Sequence, residues 1–297
     1  MIKRAMRVLA TPLTQAVALA RSVKTVLRVA RALLSEDKPS GYKPSNDNKS
    51  KQTSAHTVPP KPVAVSIVIP LLNEADHLSQ LITRVATLNP SPYQVILVDG
   101  GSTDTSVTDA KSLIDSLVDN MQSAIEWQVI KSAAGRAIQM NTGAAQATGD
   151  VLLFLHADTQ LSKLAMNKIT QALLQADWGR FDVRLDSCNP MLWIVSGMMN
   201  ARSRLTGIAT GDQAIFIKKS LFEQIDGYPN QPLMEDIELC KRLKIMTKPA
   251  CLKSKVTTSA RRWQQYGTWR TIFLMWHLRF DYWRGVSSET LKRRYNN

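Results

Sequence analysis

The sequence predicts an α/β fold with a mostly parallel central sheet flanked by helices. From residue 63 onwards, short runs of Val, Ile and Leu alternate with segments whose apolar residues recur at helical spacing. Such near-continuous apolar runs are typical of strands covered on both faces, as parallel sheets require. Strands and helices in this alternation favour parallel pairing through crossover helices. A basic, aromatic stretch near residue 270 adds a C-terminal amphipathic helical tail.

The elements follow one another from residue 63. Four strands are predicted in this part of the chain, at residues 63–70, 94–98, 127–130 and 151–155. The first is followed by a helix, because its apolar side chains fall on one helical face: Leu78, Leu81, Ile82 and Val85. A second helix should begin near Thr103, with Ser102 or Thr103 as its cap. A third, around residues 136–147, leads to the fourth strand, and a later strand is expected at 214–217.

Polar side chains follow three of these strands. They are Asn and Glu at 73–74, the DGGSTD segment at 99–104, and His-Ala-Asp at 156–158. Because ligands of parallel sheets bind beyond the carboxyl ends of the strands, we expect these groups to share one site. Carboxylates facing a phosphate-bearing ligand imply a bridging divalent cation. The alternative is that they are ordinary turn and cap residues. P-loop, dinucleotide-binding and nucleophile-elbow signatures are absent from the sequence.

Charge divides the chain into segments. Residues 1–62 carry a net +9, residues 63–239 carry −7 and residues 240–297 carry +12, within a total of +14. Residues 1–34 form a basic amphipathic segment, to be interpreted as a membrane-lying helix, a weak signal peptide or a poorly ordered extension. Residues 35–62 are predicted to be a flexible linker, 63–260 the main domain and 261–297 a basic, aromatic helical region.

Cysteine and histidine usage argues for a reducing, cytoplasmic location. The three cysteines are far apart and the four histidines lack ligand spacing, so neither a disulfide framework nor structural zinc is indicated. No run of 18 apolar residues predicts a transmembrane span. The two basic ends favour peripheral attachment at the cytoplasmic face of a membrane. Binding of nucleic acid is the competing interpretation of the charge, but the basic residues avoid the predicted sheet and no nucleic-acid motif is present.

Four ordered motifs resemble glycosyltransferase family 2, whose members have a GT-A fold. They are SIVIPLLNE (66–74), VILVDGGSTDTS (95–106), the strand with its LHADT tip (152–159) and LMEDIELCKRL (233–243). Within that family the chain most resembles a bacterial subgroup associated with radical-SAM and selenium-related genes. The motifs of this subgroup stand here as GRAIQMNTGA (135–144), GDQAIF (211–216) and SARRW (259–263).

The resemblance implies a nucleotide-sugar donor, carrying UDP or GDP, and a site for it at the sheet edge. Arg136 would be available to a phosphate of the donor. The residues implied to surround the donor are Pro70, Asn73, Glu74, Asp99, Gly101, Ser102, Gly135, Arg136 and Ala157.

The resemblance also implies a Mg²⁺ or Mn²⁺ ion. Asp158 would be the last carboxylate of a D-x-D-like metal motif, with diphosphate oxygens and waters completing the shell. The alternative for Asp158 is a cap for a helix expected at 162–176. His156 stands where a carboxylate is more usual, and it could bind Mn²⁺, contact phosphate or pack structurally.

By the same resemblance, the Glu235-Asp236 pair would carry the chemistry. An inverting transfer needs a base that takes the proton of the acceptor hydroxyl, and this base would be Asp236. Neighbouring carboxylates raise one another's pKa, which suits a base near neutral pH. The alternative is that both are ordinary acids in the first turn of a helix.

Four further residues are candidates for the acceptor or the diphosphate. Asp212 would hold the acceptor or merely close a loop. Arginine offers planar paired donors to phosphate and tryptophan a stacking face, so Arg261, Arg262 and Trp263 would close over the ligand, or else form a basic membrane-facing patch.

Beyond them, an amphipathic helix is predicted at 266–284. The apolar side chains on one face of this helix would contact a membrane interface or pack onto the protein's own domain. They are Trp269, Ile272, Phe273, Trp276, Phe280 and Trp283, with Arg270, Arg279 and Arg284 among them.

These observations predict an inverting, metal-assisted glycosyltransferase that moves a sugar from a nucleotide-sugar to an acceptor hydroxyl. The acceptor is not identified by the sequence, and lipids are among the candidates. The alternatives are a nucleotide-sugar-binding protein with little transferase activity and a basic nucleic-acid-binding protein.

Overall fold

The computed structural model describes residues 62–121 and 124–296. The predicted basic segment 1–34, and all of the predicted linker except residue 62, lie outside these residues. The predicted α/β architecture is confirmed: one mixed, mostly parallel sheet is flanked by helices.

Within residues 62–121 and 124–296, eight strands form one sheet in the order β3-β2-β1-β4-β7-β6-β8-β5. The neighbours β3, β2, β1 and β4 pair in parallel, as do β6 and β8, whereas β7 and β5 pair antiparallel to their neighbours. The carboxyl ends of all the parallel strands therefore meet at one edge. The strands are β1 (Val65–Leu71), β2 (Gln94–Asp99), β3 (Glu126–Lys131), β4 (Val151–Phe154), β5 (Thr159–Gln160), β6 (Trp178–Asp186), β7 (Phe216–Lys218) and β8 (Ala250–Ser259).

The described helices connect the strands and close the carboxyl end of the sheet. They are α1 (Ala75–Ala86), α2 (Ser106–Met121), α3 (Arg136–Gln146), α4 (Ala165–Ala172), α5 (Pro190–Thr206), α6 (Lys219–Gln224), α7 (Glu235–Met246), α8 (Arg261–Tyr266), α9 (Thr268–Trp283) and α10 (Ser288–Asn296), with a 3₁₀ turn at Gly211–Gln213. None of the helices in residues 62–121 and 124–296 is long and apolar enough to cross a membrane.

The sheet is covered on both faces, as the continuous apolar strands predict. Ile67 and Ile69 of β1 belong to one buried cluster with α1, α2 and α4. Val68, between them, belongs to a second cluster with α3 and α7. Because successive strand residues point to opposite faces, a strand covered on both sides must be apolar at nearly every position.

Several predicted boundaries are wrong. Helix α2 begins at Ser106 and not near Thr103; the amide of this first helical residue donates to Asp104 Oδ1 at 3.0 Å. Ala214 has a left-handed φ of 47°, so β7 starts only at Phe216.

The predicted C-terminal helix at 266–284 is α9, which runs from Thr268 to Trp283. Gly267 adopts a φ of 83°, and this conformation separates α8 from α9. The helix expected at 162–176 is α4, which begins only at Ala165 with Leu164 at its N-cap position, so Asp158 does not cap it.

Candidate functional site

One cavity lies at the carboxyl edge of the sheet. It has a volume of about 930 Å³ and is lined by the ends of β1, β4 and β8, the start of α3, the first residue of α7 and the C-terminal helices. Parallel sheets bind ligands in this position.

The loops after β1 and β2 brace one another beside the cavity. Asn73 has a left-handed φ of 55°; its amide donates to Ser102 Oγ at 3.0 Å, and its Oδ1 accepts from the Thr103 amide at 2.9 Å. Asp99 is buried and accepts from the Ser102 amide at 2.9 Å. Asn73, Asp99 and Ser102 therefore shape the two loops through their mutual contacts, and none of them lines the described cavity wall.

A buried amide locks these strand ends together. The side chain of Gln139, on α3, donates from Nε2 to the carbonyl oxygens of Leu71 at 2.7 Å and Val98 at 2.8 Å. Buried carbonyls without partners cost free energy, so the amide stabilises the point at which both strands end. Gly135 precedes α3 with a φ of 143°, and this turn brings Arg136 to the cavity.

Two carboxylates, Asp158 and Glu74, lie near each other at the cavity wall. Asp158 Oδ1 lies 3.5 Å from Thr258 Oγ1, a weak contact. Glu74 Oε2 is buried without a hydrogen-bond partner. Burial is the main cause that raises the pKa of Glu74; the charge of Asp158 adds to it, and Arg261 opposes it. An orphaned carboxylate oxygen beside a second carboxylate suits a hard cation that prefers oxygen ligands.

The protein nevertheless supplies only part of a coordination shell. Within the described ranges, no group of three or more His, Cys, Asp or Glu side chains is arranged to hold a metal ion. A cation at Asp158 would therefore take most of its ligands from phosphate oxygens and water, as Mg²⁺ commonly does.

His156 is oriented by the Gly211–Gln213 turn. Its Nδ1 lies 3.4 Å from Asp212 Oδ1, and its buried Nε2 has no hydrogen-bond partner. A Cβ added to Gly211 would lie only 2.2 Å from Nε2, so the ring packs directly against that residue. Burial acts to raise the pKa of Asp212, but the hydrogen bond and charge of His156, together with the charges of Arg136 and Arg202, outweigh it, and the net pKa is lowered.

The two acids that begin α7 have different surroundings. Met234 precedes them in a left-handed conformation, with a φ of 66°, which turns the chain into the helix. Glu235 is buried, and its Oε1 lies 3.6 Å from Arg136 Nη1. Burial, followed by the charge of Asp236, raises the pKa of Glu235 to about 8 despite the opposing effect of Arg136. Asp236 Oδ2 accepts from the Gly211 amide at 2.8 Å.

The SARRW segment closes one side of the cavity. Arg261 Nη2 lies 3.7 Å from Glu74 Oε1, and its Nη1 lies 3.1 Å from His77 Nε2. The Arg262 guanidinium lies 3.7 Å from the centre of the Tyr295 ring, and its Nη2 donates to the Tyr295 carbonyl at 3.0 Å. This stacking attaches α10 to α8 and makes Tyr295 part of the wall.

The cavity brings together most of the residues predicted from the sequence. The predicted residues on its wall are Pro70, Glu74, Gly135, Arg136, His156, Ala157, Asp158, Asp212, Glu235, Arg261, Arg262 and Trp263. Asn73, Asp99, Gly101, Ser102 and Asp236 lie in adjoining segments and are not on the described wall.

Sequence reasoning missed another part of the wall. These residues are Thr258, Ser259, Tyr266, Thr271, Met275, Lys292 and Tyr295. Thr258 and Ser259 could have been found, because they end a strand that is parallel to the others. Lys292 and Tyr295 lie in a polar helix whose sequence gives no sign of where it packs.

The sheet order and the carboxylate-lined cavity at its edge are those of an α/β fold of the GT-A type. Two solved structures bear out the fold: S. aureus TarS 1–349 in complex with UDP, and Mannosyltransferase PcManGT from Pyrobaculum calidifontis in complex with GDP-Man and Mn²⁺. The TM-scores are 0.52 and 0.51, at 17% and 20% sequence identity. The similarity covers 66% and 68% of this chain, and 60% and 59% of those chains.

The sequence identifies the family. Residues 66–221, just over half of the chain, match glycosyl transferase family 2. The chain therefore belongs to this family of transferase enzymes.

Curated relatives match over different portions of the chain. The Undecaprenyl-phosphate 4-deoxy-4-formamido-L-arabinose transferase of Yersinia enterocolitica is 35% identical over 99 residues, which is 32% of this chain and 29% of the relative. The Beta-monoglucosyldiacylglycerol synthase of Synechocystis sp. is 22% identical over 252 residues, which is 76% of this chain and 51% of the relative. The chain thus spans between about a third and a half of the length of these relatives.

Proposed function

We propose that the protein is an inverting, metal-assisted glycosyltransferase that uses a UDP- or GDP-sugar as donor. The observation that supports this most is the cavity of about 930 Å³, in which the acids and arginines of separate family motifs converge. The similarity to structures that contain UDP, or GDP-Man with Mn²⁺, supports the choice of donor and cation.

In the proposed reaction, an acceptor oxygen forms a bond to the anomeric carbon of the sugar. The bond from that carbon to the diphosphate oxygen breaks, and its electron pair leaves with the nucleoside diphosphate. The acceptor proton passes to Asp236, whose carboxylate is held by the Gly211 amide. We assign Glu235 to the support of this base, through its buried position and its contact with Arg136 at 3.6 Å.

Asp158 is the proposed protein ligand of the cation, beside the orphaned oxygen of Glu74. When bound, the cation would offset negative charge on the departing diphosphate. Arg136 and Arg261, both on the cavity wall, would supply paired N–H donors to phosphate oxygens. The loops of Asn73, Asp99, Gly101 and Ser102 would bound the base and ribose.

The base assignment is tested with Asp236→Asn, which keeps the size of the side chain but removes its basicity. We expect kcat to fall about 10²–10⁴-fold, the usual contribution of general base catalysis, while donor affinity by calorimetry changes little. Asp115→Asn is the control, because Asp115 is an exposed carboxylate on α2.

Two results would reject the assignment. Normal turnover by Asp236→Asn would exclude Asp236 as the base. If Glu235→Gln lost turnover while Asp236→Asn kept it, the base would be Glu235, which reaches the cavity wall.

The identity of the acceptor and the membership of a subgroup are further parts of the proposal. A relative named for undecaprenyl-phosphate and another named for a diacylglycerol lipid support a lipid acceptor and a site of action at a membrane. The cysteine usage and the basic ends of the chain favour the cytoplasmic face of that membrane. The GRAIQMNTGA, GDQAIF and SARRW motifs support the radical-SAM and selenium-associated subgroup. Screening a panel of UDP- and GDP-sugars against lipid and soluble acceptors by mass spectrometry would identify both substrates.

A further inference from the structure

Helix α9 exposes a continuous row of aromatic rings. We call this row the aromatic stripe; it consists of Trp269, Phe273, Trp276, Phe280 and Trp283, which are 54%, 42%, 48%, 52% and 80% exposed. At 3.6 residues per turn, the five positions fall within about 80° of the helix circumference. The domain thus leaves this apolar face uncovered in the described part of the chain, whereas apolar surface is ordinarily buried.

The opposite face of the same helix belongs to the cavity and the core. Thr271 and Met275 line the cavity wall, and Leu278 is 1% exposed. Tyr282 donates from its hydroxyl to Glu238 on α7, at 3.1 Å, which attaches α9 to the helix of the proposed base. Whatever contacts the stripe is therefore separated from the cavity only by the thickness of one helix, about 10 Å.

The charges around the stripe are positive. Arg270 and Arg284 are exposed along its flank, and Arg279 is half-buried on the other side. The only acid of α9, Asp281, is buried and paired with Arg294 of α10. Aromatic rings with arginines beside them are the composition of surfaces that lie in the headgroup region of an anionic bilayer.

We propose that the aromatic stripe docks the protein on an anionic phospholipid bilayer, so that the cavity opens beside the membrane surface. The inference rests on the proposed function, because it names the surface from which a lipid acceptor would reach that site. Two other occupants are disfavoured by charge. The first is the segment 1–62, whose net charge of +9 would be repelled by the arginines beside the stripe. The second is another copy of this protein, which would bring the same arginines face to face.

The docking is tested by quenching of tryptophan fluorescence with vesicles of brominated phosphatidylcholine and phosphatidylglycerol. Three of the chain's seven tryptophans lie on the stripe. We expect vesicles to quench the emission of the full-length protein. In the triple variant W269F, W276F and W283F the quenching should be lost, because phenylalanine preserves docking but removes the reporters. Trp193→Phe is the matched control: Trp193 is also 57% exposed, but on α5, and its replacement should leave the quenching intact.

A second variant measures the affinity itself. Replacing Trp276, Phe280 and Trp283 with Ser should reduce co-sedimentation with the same vesicles at least about tenfold, since each aromatic side chain that enters the bilayer interface adds to the free energy of binding. The control replaces Leu205 and Ile245 with Ser and should leave co-sedimentation unchanged, because these residues are 72% and 84% exposed but lie on α5 and α7. Donor affinity should be unchanged in both proteins, so failure of docking remains distinguishable from failure of the proposed activity.

Three outcomes would overturn the inference. The first is quenching that persists in the W269F, W276F and W283F variant. The second is quenching that appears only after residues 1–61 are deleted, which would make that segment the occupant of the stripe. The third is a full-length dimer that dissociates when the stripe is replaced and does not bind vesicles.

Discussion

Glu235 combines burial with a neighbouring carboxylate, and this makes stability depend on pH. Its pKa is raised from the ordinary carboxyl value to about 8, mainly by burial and then by Asp236. The folded state therefore binds a proton that the unfolded chain releases near pH 4.5. This contribution to stability is complete below about pH 4.5 and is lost as the pH rises through about 8.

Glu235→Gln should remove this loss of stability at high pH, because glutamine does not ionise. We expect the variant to resemble the wild type near pH 4 and to be more stable at pH 9, by about 1.4 kcal/mol for each pH unit by which the pKa of Glu235 is raised, which increases Tm by several degrees. Thermal unfolding across this pH range is the measurement, and equal Tm differences at both pH values would contradict the expected ionisation.

Replacing His156 tests whether this residue binds the metal ion or packs structurally. In the structure its Nδ1 faces Asp212 and its Nε2 faces Gly211, so the ring has no nitrogen directed away from that turn. We expect His156→Asn, which can still donate to Asp212, to keep the Mn²⁺ affinity of the nucleotide complex within about twofold. His156→Asp should lose stability, because like charges a few ångströms apart repel.

The measurement is a Mn²⁺ titration of nucleotide binding by calorimetry, with Asp158→Asn as the variant expected to lose the cation. A loss of Mn²⁺ affinity by about 10–100-fold in His156→Asn would instead make the histidine a metal ligand.

The residues at the strand ends were predictable, whereas their contacts were not. The strand-end rule places Asp158 and Glu74 at one edge, because parallel strands carry their ends there. Which polar groups face the ligand and which brace a loop depends on side-chain partners. Asp99 accepts a hydrogen bond from the Ser102 amide. Gln139 donates hydrogen bonds to two carbonyls that lie 41 and 68 residues away in sequence.

At the scale of elements, the approach of α3 to the sheet depends on one glycine. A Cβ on Gly143 would lie 2.4 Å from Val68 Cγ1 and 2.9 Å from Val98 Cγ2. Gly143→Ala should therefore destabilise the protein by about 1–3 kcal/mol through overpacking, although alanine is the better helix former.

Gly197, in the middle of α5, provides the matched control. A Cβ there meets no atom within 4 Å, so Gly197→Ala should stabilise the protein by about 0.5–1 kcal/mol. Chemical denaturation of both variants tests the pair, and a shift in the same direction would refute the packing argument.

Element types were predictable because apolar periodicity reports burial directly. The boundaries were less so, since they depend on local hydrogen bonds and single backbone conformations. Asp104 accepts from the Ser106 amide at the start of α2, and the φ of Gly267 divides the C-terminal region into α8 and α9.

At the scale of the whole molecule, the site is assembled from distant parts of the chain. Pro70 and Tyr295 line the same cavity although the whole described domain lies between them in sequence. The first half of the site follows from sheet topology, which the sequence pattern predicts. The second half follows from how α8, α9 and α10 fold back, and that depends on tertiary contacts such as Arg262 on Tyr295.

Because one face of α9 would contact a bilayer and the other lines the cavity, the protein would meet its acceptor on a surface and not in solution. With the aromatic stripe on a bilayer and Met275 on the cavity wall, enzyme and lipid acceptor would diffuse in the same plane. The encounter rate would then follow the number of acceptor molecules per unit area of membrane. Adding inert lipid would slow the reaction even though the amounts of enzyme and acceptor in the tube stayed the same.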